Sequence, residues 1–390
     1  MTTRRRSTPD AKKAGRIFTA IDLFAGCGGL TAGLRAAGFE VLAAIEKDAN
    51  AAATYRANHP DVKLYEKDIR LVSPKRVRKA IKLPRRRTVD LIAGCPPCQG
   101  FTRLTEGNGR RDHRNGLVRQ FLRFVQTLRP KVCMLENVPG LLKTRKGKRY
   151  FTELCEGLKK TGYRVTYDVV ELADYGVPQF RKRLVLLAAR RQRIPIPAAT
   201  HADPTKEGPA GRRPWRTVRD AIGGLPKPPL RSSIKSGKAV PRYEWHYARD
   251  IATDVRRRLR HALRNDRSRT DLPASLRLPC HERTTDGFHD VYGVMNWNEP
   301  SPTITSGCTN ASKGRFGHPR HPRPLTATEA ALLQTFPRSY KFKGSGLESV
   351  ASQIGNALPR RFAKIAGRRI IERLAGRVGG RNRATGGGRP

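Results

Sequence analysis

A cysteine that follows a rigid turn is the residue of this sequence best placed to do chemistry. The apolar run at residues 89–93 predicts a buried strand, and the sequence GCPPCQGFT follows it directly. The Pro96-Pro97 turn would then present Cys98 at the carboxyl edge of a sheet, where open α/β sheets bind ligands. A thiol attacks an electron-poor carbon once its pKa falls modestly. We therefore predict that Cys98 is a nucleophile.

Cys95 and Cys98 also form a C-x-x-C pair, which leaves other interpretations open. Such a pair occurs in thioredoxin-like redox sites and as half of a zinc site, and either cysteine could be purely structural. A redox fold would not need the glycine turn described next. No second pair stands at zinc-like spacing in the sequence. The spacing therefore favours a nucleophile over a redox or metal site, and we expect no metal.

A glycine-rich turn lies near the amino terminus, in the sequence DLFAGCGGL at residues 22–30. A strand, a glycine turn and a helix in succession let backbone amides approach a ligand closely. Glu46 and Asp68 end the next two predicted strands, and an acid after the second strand holds a ribose in many nucleotide sites. Either acid could instead be a helix cap, as Asp48 is expected to be. The ordered set indicates an adenosine-containing cofactor.

Two further motifs place polar side chains near the predicted sheet edge. Glu136 ends another apolar run and so would lie near Cys98, where its carboxyl group could hydrogen-bond a ring nitrogen and an exocyclic amine. In the sequence QFRKR, the alternating Gln179, Arg181 and Arg183 would project from one face of an extended strand. A surface glutamate and a generic phosphate contact are the simpler alternatives.

Charge and composition restrict the class of partner. The chain has 390 residues, 37% of them hydrophobic, and its 79 Lys+Arg against 32 Asp+Glu give a net charge of +47. This balance favours a nucleic acid, although an arginine-rich solvated surface would give the same number. Seven scattered cysteines fit a reducing compartment, and no apolar run could cross a bilayer. We expect a cytoplasmic protein that does not contact membranes.

Apolar runs alternate with helical patterns in the first half of the chain, which predicts a parallel, doubly wound α/β sheet. A second, smaller domain of mostly irregular and β structure is predicted at 191–325, where Pro, Arg and His are frequent. It contains a basic helix at 255–264, which could lie along phosphates or be merely solvated. The sequence QIGNALP is expected to open the final helix. The remaining predicted divisions are basic tails at 1–16 and 377–390 and a catalytic, cofactor-binding domain at 17–190 plus 326–376.

The sequences DLFAGCGGL, GCPPCQGFT, ENV, QFRKR and QIGNALP, in this order, resemble the motif series of the DNA (cytosine-5) methyltransferases of bacterial restriction-modification or orphan type. The resemblance covers nearly all of residues 17–376. It implies a Rossmann-like domain that uses S-adenosyl-L-methionine. Cys98 would be the nucleophile, Glu136 the acid that holds the base, and Arg181 and Arg183 its further contacts. The residues that would contact the cofactor are Phe24, Gly26, Gly28, Glu46, Asp68, Ile69, Pro97 and Asn356.

The activity implied is transfer of a methyl group to carbon 5 of a cytosine flipped out of a short double-stranded DNA sequence. Residues 191–325 would read that sequence. We expect a monomer, and a cognate restriction endonuclease could accompany it. Two alternatives share the motifs: an RNA (tRNA) cytosine-5 methyltransferase, and a catalytically silent DNA-binding relative. Cys95 is a small departure, because many relatives carry another small residue there.

Overall fold

A seven-stranded mixed sheet forms the centre of the protein, in the order β3-β2-β1-β4-β5-β7-β6. The computed structural model describes residues 16–84, 87–97, 116–206, 211–265, 272–279 and 290–376. The sheet confirms the predicted α/β fold, and the strand predicted at residues 89–93 is present at Leu91–Gly94. The strands are β1 (Phe18–Leu23), β2 (Phe39–Ile45), β3 (Lys63–Tyr65), β4 (Leu91–Gly94), β5 (Val132–Asn137), β6 (Arg164–Glu171) and β7 (Lys182–Ala189).

One strand, β7, departs from the all-parallel prediction. Strands β1 to β5 pair in parallel, but β7 runs antiparallel to both β5 and β6. The connection from β6 to β7 contains only the short 3-10 helix Leu172–Tyr175. A parallel neighbour needs a longer crossover, usually a helix, so this short connection requires antiparallel pairing.

Helices cover both faces of the sheet, so the central strands are buried on both sides. Within the described residues they are α1 (Gly29–Ala37), α2 (Ala49–Asn58), α3 (Pro74–Ala80), α4 (Leu117–Leu128), α5 (Gly140–Lys143), α6 (Arg145–Lys160), α7 (Val218–Ile222), α8 (Arg231–Lys235), α9 (Thr253–Arg264), α10 (Ala327–Leu333), α11 (Leu347–Asn356) and α12 (Arg360–Leu374). The apolar sides of α1 and α12 pack on one face, and those of α4 and α6 pack on the other. None of the described helices has both the length and the apolar character needed to span a membrane.

The described part of residues 190–325 contains few regular elements, among them the two-residue parallel strands β8 (His201–Ala202) and β9 (Arg213–Pro214). A third apolar cluster joins Met295, Ile304 and Phe316 from this region to residues of α10 and α11. Packing is therefore continuous across the position where we divided the two domains. The division itself stays a prediction.

One predicted helix boundary is wrong. The QIGNALP motif was expected to open the final helix, but Gln353 to Asn356 form the last turn of α11, and α12 begins only at Arg360. Pro359 explains the break, because the residue before a proline is pushed out of the α region. The motif therefore spans the last turn of α11 and the connection that leads to α12.

Candidate active site at the carboxyl edge of the sheet

The turn between β1 and α1 has the left-handed backbone that its glycines permit. Phe24, Gly26 and Gly28 have φ values of 59°, 54° and 89°. A Cβ on Gly26 would meet nothing within 4 Å, whereas one on Gly28 would lie 2.8 Å from the His59 ring and the Tyr340 hydroxyl. Gly26 therefore borders open space, where a ligand can reach its backbone, and Gly28 is required by packing. A left-handed phenylalanine is uncommon, and such strain is often found at ligand sites.

Glu46 joins the end of β2 to this turn. Its carboxylate accepts hydrogen bonds from the backbone N–H groups of Gly26, Lys47 and Asp48, each at 2.8 Å. These bonds fix the orientation of the acid beside the open glycine. The residue that the sequence predicted as a ribose contact is therefore held rigidly at the sheet edge.

Asp68 stands at the end of the connection that follows β3. It caps the short helix Ile69–Leu71, and hydrogen bonds from Arg70 lower the pKa of its carboxyl group to about 2. Lys47 lies 3.8 Å away as a second cation. Ile69 is buried. Asp68 is thus ionised at neutral pH and already paired with Arg70. A ligand that binds Asp68 would have to fit beside this ion pair.

Sequence reasoning missed Asp22, although it lies in the glycine motif. Asp22 is fully buried near the end of β1, and its Oδ2 accepts a 2.6 Å hydrogen bond from the Thr31 hydroxyl. Among the described atoms, its Oδ1 has no hydrogen-bond partner. Burial raises the pKa of this carboxyl group to about 7. A carboxyl group within an otherwise apolar strand is the signal that could have identified it.

The thiol loop is described only as far as Pro97, and Cys98 lies outside the described residues. The backbone before it is anchored, because Asn137 Nδ2 donates a 3.1 Å hydrogen bond to the carbonyl of Pro96. Cys95 lies beside Glu136, and burial, followed by the charges of Glu136 and Asp22, raises the pKa of its thiol well above the usual range. Cys95 is therefore a neutral thiol at the sheet edge.

Glu136 and Arg183 form an ion pair at this edge. The Arg183 Nε lies 2.9 Å from a Glu136 carboxylate oxygen, and the two side chains are 13% and 9% exposed. Glu136 comes from β5 and Arg183 from the neighbouring β7, so adjacent strands hold the pair in place. Because β5 also pairs with β4, the ion pair lies one strand away from the chain that leads to Cys98. The structure thus brings Glu136 and Arg183 together.

Arg181, in contrast, is directed into the protein. It is 3% exposed, and its guanidinium group donates to the carbonyls of Ile304 at 2.8 Å and Gly355 at 3.0 Å. Gln179 is fully buried and belongs to the same cluster. These residues precede β7 in an irregular segment, rather than alternating along one strand as expected. The contact of Arg181 with a target base stays a prediction.

Asn356 is exposed at the end of α11, and its amide donates only a weak 3.4 Å hydrogen bond to Ser352. The following residues lie over the glycine turn. A Cβ on Gly29 would come within 2.8 Å of the Leu358 carbonyl and 3.3 Å of the Ala357 Cβ. The motifs at the two ends of the chain therefore meet at one place, as the predicted cofactor site requires.

The basic helix α9 is partly as expected. Leu259 and Ala262 are buried, whereas Arg258 is not on the solvent face: it is 8% exposed and donates 2.7 Å to the carbonyl of Leu276. Four other arginines of this helix are exposed, namely Arg256, Arg257, Arg260 and Arg264. They form a positive surface that could contact phosphates.

Comparison with known proteins agrees with this arrangement. Residues 18–372 match the family model of the C-5 cytosine-specific DNA methylases. The chain is 35% identical over 360 residues to a Type II methylase, M.HgiDII, of Herpetosiphon aurantiacus, covering 91% of this chain and 96% of that protein. It is 31% identical over 359 residues to the Type II methyltransferase M1.HphI of Haemophilus parahaemolyticus, covering 91% and 87% of the two chains.

Solved structures show the same fold at lower identity. A prophage-encoded protein of E. coli superposes with a TM-score of 0.67 at 24% identity, covering 92% of this chain and 99% of that one. A methyltransferase of Entamoeba histolytica gives a TM-score of 0.58 at 15% identity, covering 92% and 99%. With the order of its motifs and the meeting of those motifs at one sheet edge, this chain belongs to the C-5 cytosine-specific DNA methylase family.

Proposed function

We propose that this protein transfers a methyl group from S-adenosyl-L-methionine to carbon 5 of a flipped-out cytosine in double-stranded DNA, with Cys98 as the nucleophile. The observation that carries the proposal is the Glu136–Arg183 pair, which is held at 2.9 Å next to the strand that leads to Cys98. The proposed reaction needs a proton or hydrogen bond at ring nitrogen 3 of cytosine and a positive group at its carbonyl oxygen. An acid and a cation at fixed positions are suited to these two contacts.

The glycine turn and its neighbours fit the cofactor. Oδ1 of buried Asp22 has no hydrogen-bond partner among the described atoms, so it can accept a hydrogen bond from a cationic group. The open space at Gly26 lets a ligand reach the backbone. Glu46, already oriented by backbone amides, is suited to a ribose hydroxyl pair. When bound, the cofactor supplies an electrophilic methyl group. The contacts proposed for it also include Phe24, Gly28, Asp68, Ile69, Pro97 and Asn356.

The residues of the chain would activate the base. A Cys98 thiolate forms a carbon–sulfur bond to carbon 6 of cytosine, which makes carbon 5 nucleophilic enough to accept the methyl group. Glu136 hydrogen-bonds or protonates ring nitrogen 3 as negative charge develops, and Arg183 holds the carbonyl oxygen. Loss of the carbon 5 proton then allows the carbon–sulfur bond to break, which restores the ring and gives 5-methylcytosine.

Cytosine carbon 5 is not accessible inside a duplex, so we propose that the base is flipped out of the stack into the active site. Extrusion costs a few kcal/mol. Contacts between the basic surface and DNA phosphates would offset that cost. Residues 191–325 form the proposed target-recognition region, where a few side chains would reach base edges.

Two related proposals concern the setting of the enzyme. We propose a monomer acting in the bacterial cytoplasm, with a restriction endonuclease of the same specificity as its functional companion. The support is that two of the similar proteins named above are a Type II methylase and a Type II methyltransferase. Light scattering of the purified protein tests the first point, since a mass twice that of the 43.5 kDa chain would contradict it.

The decisive experiment is covalent trapping. A DNA duplex that carries 5-fluorocytosine at the target should become cross-linked to the protein when the cofactor is present, because fluorine blocks the elimination step. The Cys98→Ala variant should bind DNA but form no cross-link. Sequencing of bisulfite-treated DNA from cells that express the protein identifies the carbon and the site. Methylation of matched tRNA but not DNA would establish the RNA alternative, and an uncross-linked wild-type protein would contradict the mechanism.

A further inference from the structure

A buried polar cluster connects separate segments of the chain, and Gln334 lies at its centre. Gln334 follows α10 and is fully buried. Its Nε2 donates to the carbonyls of Ile354 at 2.7 Å and Ala357 at 3.2 Å, and its Oε1 accepts from Gln179 Nε2 at 2.9 Å. Both ends of the amide are therefore used, and each end holds a different segment.

Gln179 extends the cluster to Ile304, which belongs to the proposed recognition region. Its Oε1 accepts from the backbone N–H of Ile304 at 2.9 Å, and Arg181 donates to the Ile304 carbonyl at 2.8 Å. The same guanidinium group donates to the carbonyl of Gly355 at 3.0 Å. The side chains of Gln179 and Arg181 thus hold Ile304 and Gly355 together.

The two segments are also in direct contact. A Cβ on Gly355 would lie 2.1 Å from the Thr305 carbonyl carbon, so only a glycine lets the two backbones approach this closely. Helix α11 ends at Asn356, and the last carbonyls of any helix lack partners within it. Gln334 and Arg181 supply those partners. The turn that carries Asn356 is therefore held through its backbone, while the Asn356 side chain stays exposed.

We propose that Gln334 is a positioning residue, which holds the Asn356 turn over the glycine turn and couples it to the recognition region. This proposal rests on the proposed function, because it takes Asn356 to close the cofactor site. Gln334 touches neither cofactor nor base; it acts through the carbonyls of Ile354 and Ala357. Its loss should therefore weaken cofactor binding more than the chemical step.

The test compares Gln334→Glu and Gln334→Leu with Gln192→Leu. Gln192 also donates to a carbonyl near the end of a helix, that of Arg373 on α12, so it is a matched control. Both Gln334 variants should raise the KM for the cofactor at least tenfold and change kcat less than threefold. Gln192→Leu should change neither. A folded Gln334 variant with an unchanged cofactor KM, or one in which kcat falls as much as KM rises, would overturn the proposal.

A second measurement needs no variant. Adding S-adenosylhomocysteine to the wild-type protein should slow amide hydrogen exchange in residues 301–305 and 354–357 together, because one cluster holds both. Slowing in 354–357 alone would refute the coupling. If the wild-type protein does not bind S-adenosylhomocysteine at all, the proposed function fails instead, so the two failures are distinguishable.

Discussion

Glu136 and Arg183 share one ion pair in a site that is almost closed to solvent. Removing one partner of such a pair leaves the other charge buried without compensation, which costs more than breaking a surface pair. The pair at 2.9 Å therefore orients both side chains before a substrate arrives. A base that enters between them would exchange this ion pair for its own hydrogen bonds, so the protein keeps the acid and the cation ready without leaving either unpaired.

We expect Glu136→Gln to lower the methylation rate about 100-fold or more, since proton transfer by a positioned group contributes about 10²–10⁴-fold. Glutamine keeps the shape of the side chain but neither carries the charge nor delivers a proton. Single-turnover methylation with saturating cofactor measures the effect. The control is Glu153→Gln, which breaks an exposed pair with Arg119 at 2.7 Å. A Glu136→Gln rate within threefold of wild type would show that Glu136 is not the acid.

Asp22 should make the stability of the cofactor-free protein depend on pH. Its folded-state pKa of about 7 lies above the value of 3.8 expected in the unfolded chain, so the folded state holds the proton more tightly. The stabilisation is complete below about pH 4 and is lost as the pH rises through 7. We expect Asp22→Asn to remove this decline in the free energy of unfolding, measured by urea denaturation between pH 4 and 7.

Asp61→Asn is the matched control for that measurement. Arg35 lowers the pKa of Asp61, so ionised Asp61 stabilises the folded state and its loss should not abolish the decline. An Asp22→Asn protein whose stability falls with pH as steeply as that of the wild type would show that Asp22 does not titrate in this range.

Residue types and order predicted much of the site, but not which side chains are buried. Glu46 and Glu136 could be found because each ends a strand, and parallel strand ends meet at one edge. Alternation predicts that Arg181 shares one face of a strand with Arg183, and the family resemblance implies that both contact the target base. Alternation cannot reveal that the distant residue Ile304 packs over one of the two arginines. For the same reason Gln334, whose partners lie far away in the sequence, was not found.

At the level of elements, the strongly apolar strands were predictable, and the edge strand β6 was not. Strand β6, with the sequence RVTYDVVE, lies at a sheet edge, and only one of its eight residues is buried. An edge strand buries little surface, so its sequence lacks the apolar run that marks β1 or β5. The direction of β7 then could not be predicted, because it depends on β6 being present.

The glycine turn gives a prediction about elements, since it fixes how β1 leads into α1. Gly28→Ala should destabilise the protein by more than the roughly 1–2 kcal/mol that a left-handed non-glycine residue costs, because its Cβ also meets His59 and Tyr340 at 2.8 Å. Gly162→Ala is the matched control, with φ of 88° and nothing within 4 Å of its Cβ. Urea denaturation measures the free energy of unfolding of both variants. Equal losses of that free energy would show that His59 and Tyr340 move away from the new Cβ without cost.

The whole molecule has a net charge of +47. Its cations differ in how much of their charge they can offer to a DNA phosphate. Several cations are already paired, as Arg35 is with Asp61 at 2.7 Å and Arg56 is with Glu66. Others, such as Arg256 and Arg260 on α9, are exposed with no carboxylate partner among the described residues. Only cations of the second kind can offer their full charge to a phosphate.

Salt dependence distinguishes a DNA-contacting α9 from a merely solvated one. Each phosphate contact adds about 0.9 to the slope of log affinity against log salt concentration, because binding releases a condensed counterion. If α9 lies on DNA, the double variant Arg256→Gln/Arg260→Gln should lower that slope by about 1–2, whereas Arg35→Gln/Arg56→Gln, which removes the same charge from paired positions, should lower it far less. Fluorescence anisotropy with a labelled duplex from 50 to 300 mM salt measures both. Equal slopes for the two variants would mean that the arginines of α9 act only through the overall field of the protein.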